Sequence, residues 1–126
     1  MSRRKHNAKS FLNNSTKAQD KKIYIDFVRK TVLTKLNVSY SELKRTHSQD
    51  RIFFLALQHV TATKKAICTA FDLEVERQCR NKRDFEKSGQ LVQTLKRHKC
   101  KFTGEPAHYL TTDKSKFNEI LCNFKR

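Results

Sequence analysis

The chain has 126 residues, the size of one ordinary domain. Lys and Arg number 28 against 12 Asp and Glu, giving a formal net charge of +16, with only 2 glycines and 1 proline. So few glycines exclude a collagenous, linker-like or many-turned all-β protein. The charge points to a polyanion that would neutralise the self-repulsion, and nucleic acid is the first such partner. No membrane partner is expected: the longest apolar run, residues 52–57, falls far short of the roughly 20 residues of a spanning helix. Residues 1–22 are basic and polar, without the apolar core of a secretory signal. Cys68, Cys79, Cys100 and Cys122 form no Cys-x-x-Cys pair. They read as reduced, small apolar residues of an intracellular protein, with a cytoplasmic, nucleoid-associated location as the expectation.

Residues 1–20 are rich in Asn, Ser and Lys, lack apolar periodicity and carry Arg3, Arg4 and Lys5. They read as a flexible basic arm. Such an arm can enter a minor groove or act only as a solubilising tail. Residues 21–126 read as one domain with its core at 48–113. From 21 to 36, Ile23, Tyr24, Phe27, Val28, Val32, Leu33 and Leu36 recur at helical spacing, although 23–28 alone could form a short strand. Ser39 and Ser41 begin a polar connection or short helical turn reaching Thr46. Ser48 or Asp50 can cap a helix over 51–60, whose apolar face includes Phe53, Phe54, Leu57 and Val60. Thr61 or Thr63 can cap a short helix, Lys64–Phe71, that packs through Ala66, Ile67 and Ala70. Asp72, Leu73 and Glu74 interrupt the pattern before a longer helix, Val75–Lys87. Gly89 stands where a helix end takes a left-handed residue.

The Val75–Lys87 helix sorts its side chains. At 100° per residue, Val75, Gln78, Cys79, Lys82, Phe85 and Glu86 share one side, and Arg77, Arg80, Asn81, Asp84, Lys87 and Ser88 the other. Arginine can bond bidentately to guanine and asparagine to adenine, so Arg77, Arg80, Asn81 and Lys87 suit a major groove. A solvated face balanced by Glu76, Asp84 and Glu86 is the plainer explanation. Beyond it, 91–97 alternates Leu91, Gln93 and Leu95, and 106–112 alternates Ala107, Tyr109 and Thr111. Gly104 and Pro106 lie between them, and the pattern is that of a β-hairpin. Residues 90–103 add four basic groups and no acid; with residues 1–22 they supply +10 of the +16.

A short helix, a tight turn, a longer helix and then a basic hairpin resemble the winged helix-turn-helix DNA-binding superfamily. In particular they resemble small helix-turn-helix proteins of bacterial and phage-type mobile elements. The stretches that carry the likeness are Ala-Thr-Lys-Lys-Ala-Ile at 62–67, Cys79-Arg80, Phe-Glu-Lys-Ser-Gly at 85–89, Cys-Lys-Phe-Thr-Gly at 100–104 and Leu-Thr-Thr-Asp at 110–113. They span about half of the chain. The resemblance implies a recognition helix at Val75–Lys87, with Arg77, Arg80 and Asn81 nearest the bases. It implies phosphate contacts from Lys64 and Lys65, beside the N–H groups of their helix. It further implies a wing carrying Lys96, Arg97, Lys99 and Lys101. Lys82 departs from the pattern by standing on the inward half, where such domains place an apolar residue; it and Arg83 are further candidate contacts.

Asp113 can cap a last helix with Phe117, Ile120, Leu121 and Phe124 at i, i+3, i+4 and i+7. This stripe packs on the domain or, like 21–36, forms the interface of a homodimer. His98, Cys100, His108 and Cys122 match no zinc spacing, so no metal is assigned. With no nucleophile elbow, metalloprotease motif or glycine-rich phosphate loop, no catalytic residue and no cofactor are assigned, and the chain reads as a non-enzyme. The expected fold is mainly α with a small β-hairpin, a winged helix-turn-helix with flanking N- and C-terminal helices. The expected function is binding of double-stranded DNA, as a transcriptional regulator or an accessory factor of a mobile element or phage. The alternatives are a winged-helix protein-interaction module for an acidic partner and a non-specific RNA binder, which would use exposed aromatics such as Phe102.

Overall fold

The computed structural model describes residues 5–123, with side chains described for 19–121. In chain order the elements are α1 (Lys5–Leu36), α2 (Tyr40–Thr46), α3 (Gln49–His59), β1 (Ala62–Thr63), α4 (Lys64–Phe71), α5 (Val75–Lys87), β2 (Val92–Gln93), β3 (His98–Lys99), β4 (Pro106–Ala107), β5 (Tyr109–Thr111) and α6 (Phe117–Asn123). A 3-10 turn, Lys114–Lys116, precedes α6. The molecule is mainly helical with a small antiparallel sheet.

Hydroxyl caps start α2, α3 and α4. Ser39, Ser48 and Thr63 accept from the amides of Glu42, Arg51 and Ala66, which satisfies N–H groups that have no partner inside their helices. Of the two cap candidates before α3, Ser48 caps, and Asp50 is left for another task described below. At the end of α5, Gly89 has φ +79°, the Gly89 N–H donates to Glu86 and the Gln90 N–H donates to Phe85, a complete Schellman motif.

Helix α1 begins at Lys5, not at residue 21, so most of the segment expected as a flexible arm is helical; Arg3 and Arg4 lie outside the described residues. The reason is cooperative. Ile25, Val28 and Val32 are buried and anchor the helix, and no Gly or Pro interrupts 5–36. Once a helix is nucleated, each added residue gains a hydrogen bond at little cost, with or without an apolar period.

The core joins Val28 and Val32 of α1, Leu43 of α2, Phe53 and Leu57 of α3, and Ile67 and Phe71 of α4, all essentially inaccessible. Leu73 fills the turn between α4 and α5, where Asp72 takes a left-handed φ of 54°. That turn is held from outside. Arg29 Nε donates to the Ala70 carbonyl at 2.7 Å, Lys44 Nζ to the Phe71 carbonyl at 2.6 Å, and the Tyr40 hydroxyl to the Asp72 carboxylate. Two cations thus meet the carbonyl end of α4, where the helix dipole is negative.

The sheet order is β1–β5–β2, all antiparallel, with Ala62 opposite Leu110 and Gln93 also opposite Leu110. Beyond it β3 and β4 pair, with His98 opposite Ala107. The expected strand over 91–97 is therefore broken. Leu95, Lys96 and Arg97 stand opposite the single residue His108, a bulge stabilised locally: Thr94 Oγ1 donates to the Lys96 carbonyl, and His108 Nδ1 bonds the Thr94 carbonyl. Strand β1 is an element the sequence reading did not anticipate. Helix α6 packs beside β2, with Ile120 buried at 2 % exposure, so this face of the stripe turns inward. Phe124 and the remainder of 124–126 lie outside the described residues. Among the described residues no helix is long and apolar enough to cross a membrane.

A Cβ on Gly89 would meet nothing within 4 Å, so a substitution there isolates the backbone term. Gly89→Ala is expected to lower the unfolding free energy by about 1–2 kcal/mol, the cost of a left-handed L-residue, read as a shifted midpoint with unchanged slope in urea.

Candidate nucleic-acid interface

Helix α5 is docked by polar contacts from the first turn of α3. Asp50 Oδ1 accepts from Arg77 Nε at 3.0 Å and from Gln78 Nε2 at 3.1 Å. Asn81 Nδ2 donates to Gln78 Oε1 at 2.8 Å and to the Asp50 carbonyl at 3.3 Å. Gln49 Oε1 accepts the Glu74 amide, the donor just ahead of α5. Gln78 is wholly buried and Asn81 is 9 % exposed, so their amides need these partners. On the apolar side, Phe85 packs against Phe54 with ring centroids 5.0 Å apart.

This docking corrects the expected solvent face. Asn81 points into the protein and cannot present its amide to a base: Asp50 and Gln78 hold it. Arg77 is half-exposed but ion-paired to Asp50, which raises its already high pKa further. The helix is rolled so that Gln78, Asn81 and Phe85 face inward. Glu76, Arg80, Arg83, Asp84 and Lys87 are outward and exposed. Arg80, Arg83 and Lys87 make no hydrogen bond or ion pair with another described residue. Arg83, a further candidate in the sequence, therefore belongs beside Arg80 at the centre of the exposed face.

The other cations divide into three kinds. Lys65 of α4 and Lys96 of the bulge are exposed. Lys64 and Lys82 are half-buried with internal partners. Lys64 Nζ lies 2.7 Å from Cys79 Sγ; Lys82 Nζ donates to Gln93 Oε1 at 2.7 Å and meets Glu86 at 3.3 Å. Lys82 thus tolerates its inward position because the sheet supplies an amide oxygen. Between α4 and the hairpin runs a cleft of about 300 Å3, lined by Lys64, Lys65, Lys82, Arg97 and His108 among others. Its charge comes from four cations brought together from residues 64–97. The four expected wing cations do not form one row. Arg97 borders this cleft, whereas Lys99 and Lys101 border two other cavities, beside Lys21 of α1 and Lys116 ahead of α6. Lys5, the last residue of the expected arm cluster, opens α1, and its side chain lies outside the described residues.

Cys100 is buried beneath the hairpin, with its sulfur 3.0 Å from Thr63 Oγ1. Burial raises its thiol pKa, but hydrogen bonds from Thr63 and the 102–103 turn outweigh that and lower it. Among the described residues no three His, Cys, Asp or Glu side chains gather as a metal site. Two contributors to the candidate site carry no signal of that role in the sequence. His108, which the sequence offers as a metal-ligand candidate, lines the basic cleft. Asp50, which the sequence offers as a cap, sets the roll of α5.

Asp50→Ala is expected to destabilise the fold by about 1–3 kcal/mol, because it leaves a buried Gln78 donor unpaired. Asp50→Asn, which keeps an acceptor oxygen, should recover part of that loss; equal unfolding midpoints in urea for the wild type and Asp50→Ala would contradict the anchoring role. Comparisons of this chain with protein-family models, curated proteins and solved structures found no match.

Proposed function

We propose that the chain is a winged helix-turn-helix protein that binds double-stranded DNA. In this reading α4 and α5 are the helix pair, β1, β5 and β2 form the sheet, and the β3–β4 extension is the wing. The strand order β1–β5–β2, with α4 and α5 between β1 and β2 in the chain, supports the fold assignment.

The observation that carries the DNA reading is the outward face of α5, where Arg80, Arg83 and Lys87 project together with no hydrogen bond or ion pair to another described residue. A guanidinium matches the paired acceptors of guanine in the major groove, and a carboxylate such as Asp84 can accept from a cytosine amine. The cleft of Lys64, Lys65, Lys82 and Arg97 lies beside this face, suited to a phosphate strand at the groove edge. Lys96, exposed on the bulge next to Arg97 in the chain, is a further cation available to a phosphate. The outward face of α5 bears no apolar side chain that could anchor a protein partner. Phe102, the aromatic that RNA stacking would call on, is partly buried against the core. Both points favour duplex DNA over the alternatives. The role that fits is a transcriptional regulator or an accessory factor of a mobile element.

For a second copy of the chain, residues 21–36 are the favoured surface. Ile23 and Phe27, one turn apart on α1, are 63 % and 60 % exposed, whereas Ile120 in 113–126 is buried. A dimer would let two α5 helices read two half-sites.

Two measurements test these readings. In a duplex-binding titration over a range of salt, Lys65→Ala and Lys96→Ala should each weaken binding to every sequence and reduce the salt slope by roughly 1, while Arg80→Ala and Arg83→Ala should each cost about 1–3 kcal/mol at particular base pairs. Uniform losses for all four would remove the base-reading role from α5. In sedimentation velocity, Phe27→Asp should convert a dimer to a monomer; a monomeric wild type would refute the α1 interface.

A further inference from the structure

Lys64 opens α4 and Cys79 lies in the second turn of α5. Where the helices meet, Lys64 Nζ and Cys79 Sγ are 2.7 Å apart. Lys64 Nζ donates to the sulfur, closer than an ordinary N–H···O bond of about 2.9–3.0 Å although sulfur is larger than oxygen, so the two atoms are in direct contact. Both side chains are half-buried, open to a small solute yet held together by their helices. A second thiol is close by. Cys68 stands one turn beyond Lys64 on α4 at 2 % exposure, and burial pushes it up to about 11 against the pull of Lys64 and Lys65. An enclosed, protonated thiol is a poor nucleophile. The accessible neighbour of the Cys79 sulfur is therefore an amine.

We propose that Lys64 and Cys79 form a peroxide-responsive pair, in which oxidation of Cys79 ends in a reversible covalent link to Lys64. The Cys79 sulfur attacks hydrogen peroxide: an S–O bond forms, the O–O bond breaks, and the thiol proton leaves with the released oxygen as water. The product is a sulfenic acid, which condenses with a nitrogen held against it. Lys64, through its unprotonated amine, attacks the sulfur. An S–N bond forms, the S–O bond breaks, and the oxygen leaves with an amine proton as the second water. Sulfur has lost two electrons and peroxide has been reduced to two waters. Two equivalents of a small thiol reverse the link, returning the Cys79 thiol and the Lys64 amine and leaving one small-molecule disulfide. The link joins α4 to α5 and removes one positive charge from the basic cleft. It does not rest on the DNA-binding reading, since its evidence is the contact itself.

The test uses the full chain, titrated with hydrogen peroxide and mapped by mass spectrometry of non-reduced tryptic peptides. The expected product is lighter by two hydrogens, uncleaved after Lys64, and contains a Lys64–Cys79 cross-linked peptide that dithiothreitol abolishes. Lys64→Arg and Cys79→Ser should lose that peptide, and Cys68→Ala should keep it. A Cys68–Cys79 disulfide, an uncrosslinked sulfenic or sulfinic Cys79, or a Cys79 that stays reduced while Cys100 oxidises would each overturn the proposal. The wild-type peptide map decides the matter even if a variant fails to fold.

Discussion

The contact on which the exposed face of α5 depends is the grip of Asp50 on that helix. One carboxylate oxygen and one carbonyl in the first turn of α3 take hydrogen bonds from Arg77, Gln78 and Asn81. An apolar seam alone would leave the helix some freedom to roll, because hydrophobic contact is non-directional. Hydrogen bonds to buried amides remove that freedom, since any other roll would strand a donor away from water. The roll determines which cations face outward, and Arg80, Arg83 and Lys87 follow from it. The apposition of Lys64 and Cys79 also depends on where α5 sits against α4.

A second constraint fixes the turn between the helices. The left-handed Asp72 lies where α4 ends, and Arg29, Tyr40 and Lys44 reach it from α1 and α2. Arg29 also stacks over the Tyr40 ring at 4.3 Å, so the three side chains brace one another. The helices ahead of the candidate site thus act as its scaffold. A bulge in the hairpin then divides the remaining charge: Arg97 lines the cleft, while Lys99 and Lys101 line other cavities.

Much of this was legible in the sequence. The bounds of α4 and α5 match their apolar spacing, and Ser48, Thr63, Asp113 and Gly89 mark helix ends as their chemistry dictates. What escaped was long-range or unpatterned. Asn81 looked like a solvent-facing amide because its partner Asp50 lies 31 residues away in the chain. Asn81 carries no apolar signal, yet it joins Gln78, which shares the side of Val75 and Phe85, on the buried side of α5. Strand β1 is two residues long, too short for any alternation, and forms because β5 offers it a partner. The N-terminal part of α1 lacks periodicity and continues a helix nucleated further along.

The central claim is that α5 reads bases through the face left open by the Asp50 anchor. It is tested most directly by exchanging single guanines for 7-deazaguanine in a duplex selected by the wild-type chain, which deletes only the N7 acceptor. The account predicts a loss of about 1–3 kcal/mol at one or more guanines for the wild type, no further loss there for Arg80→Ala or Arg83→Ala, and an undiminished loss for Arg77→Ala. Unaltered wild-type binding at every guanine, or a loss that persists in both the Arg80 and Arg83 variants, would contradict it.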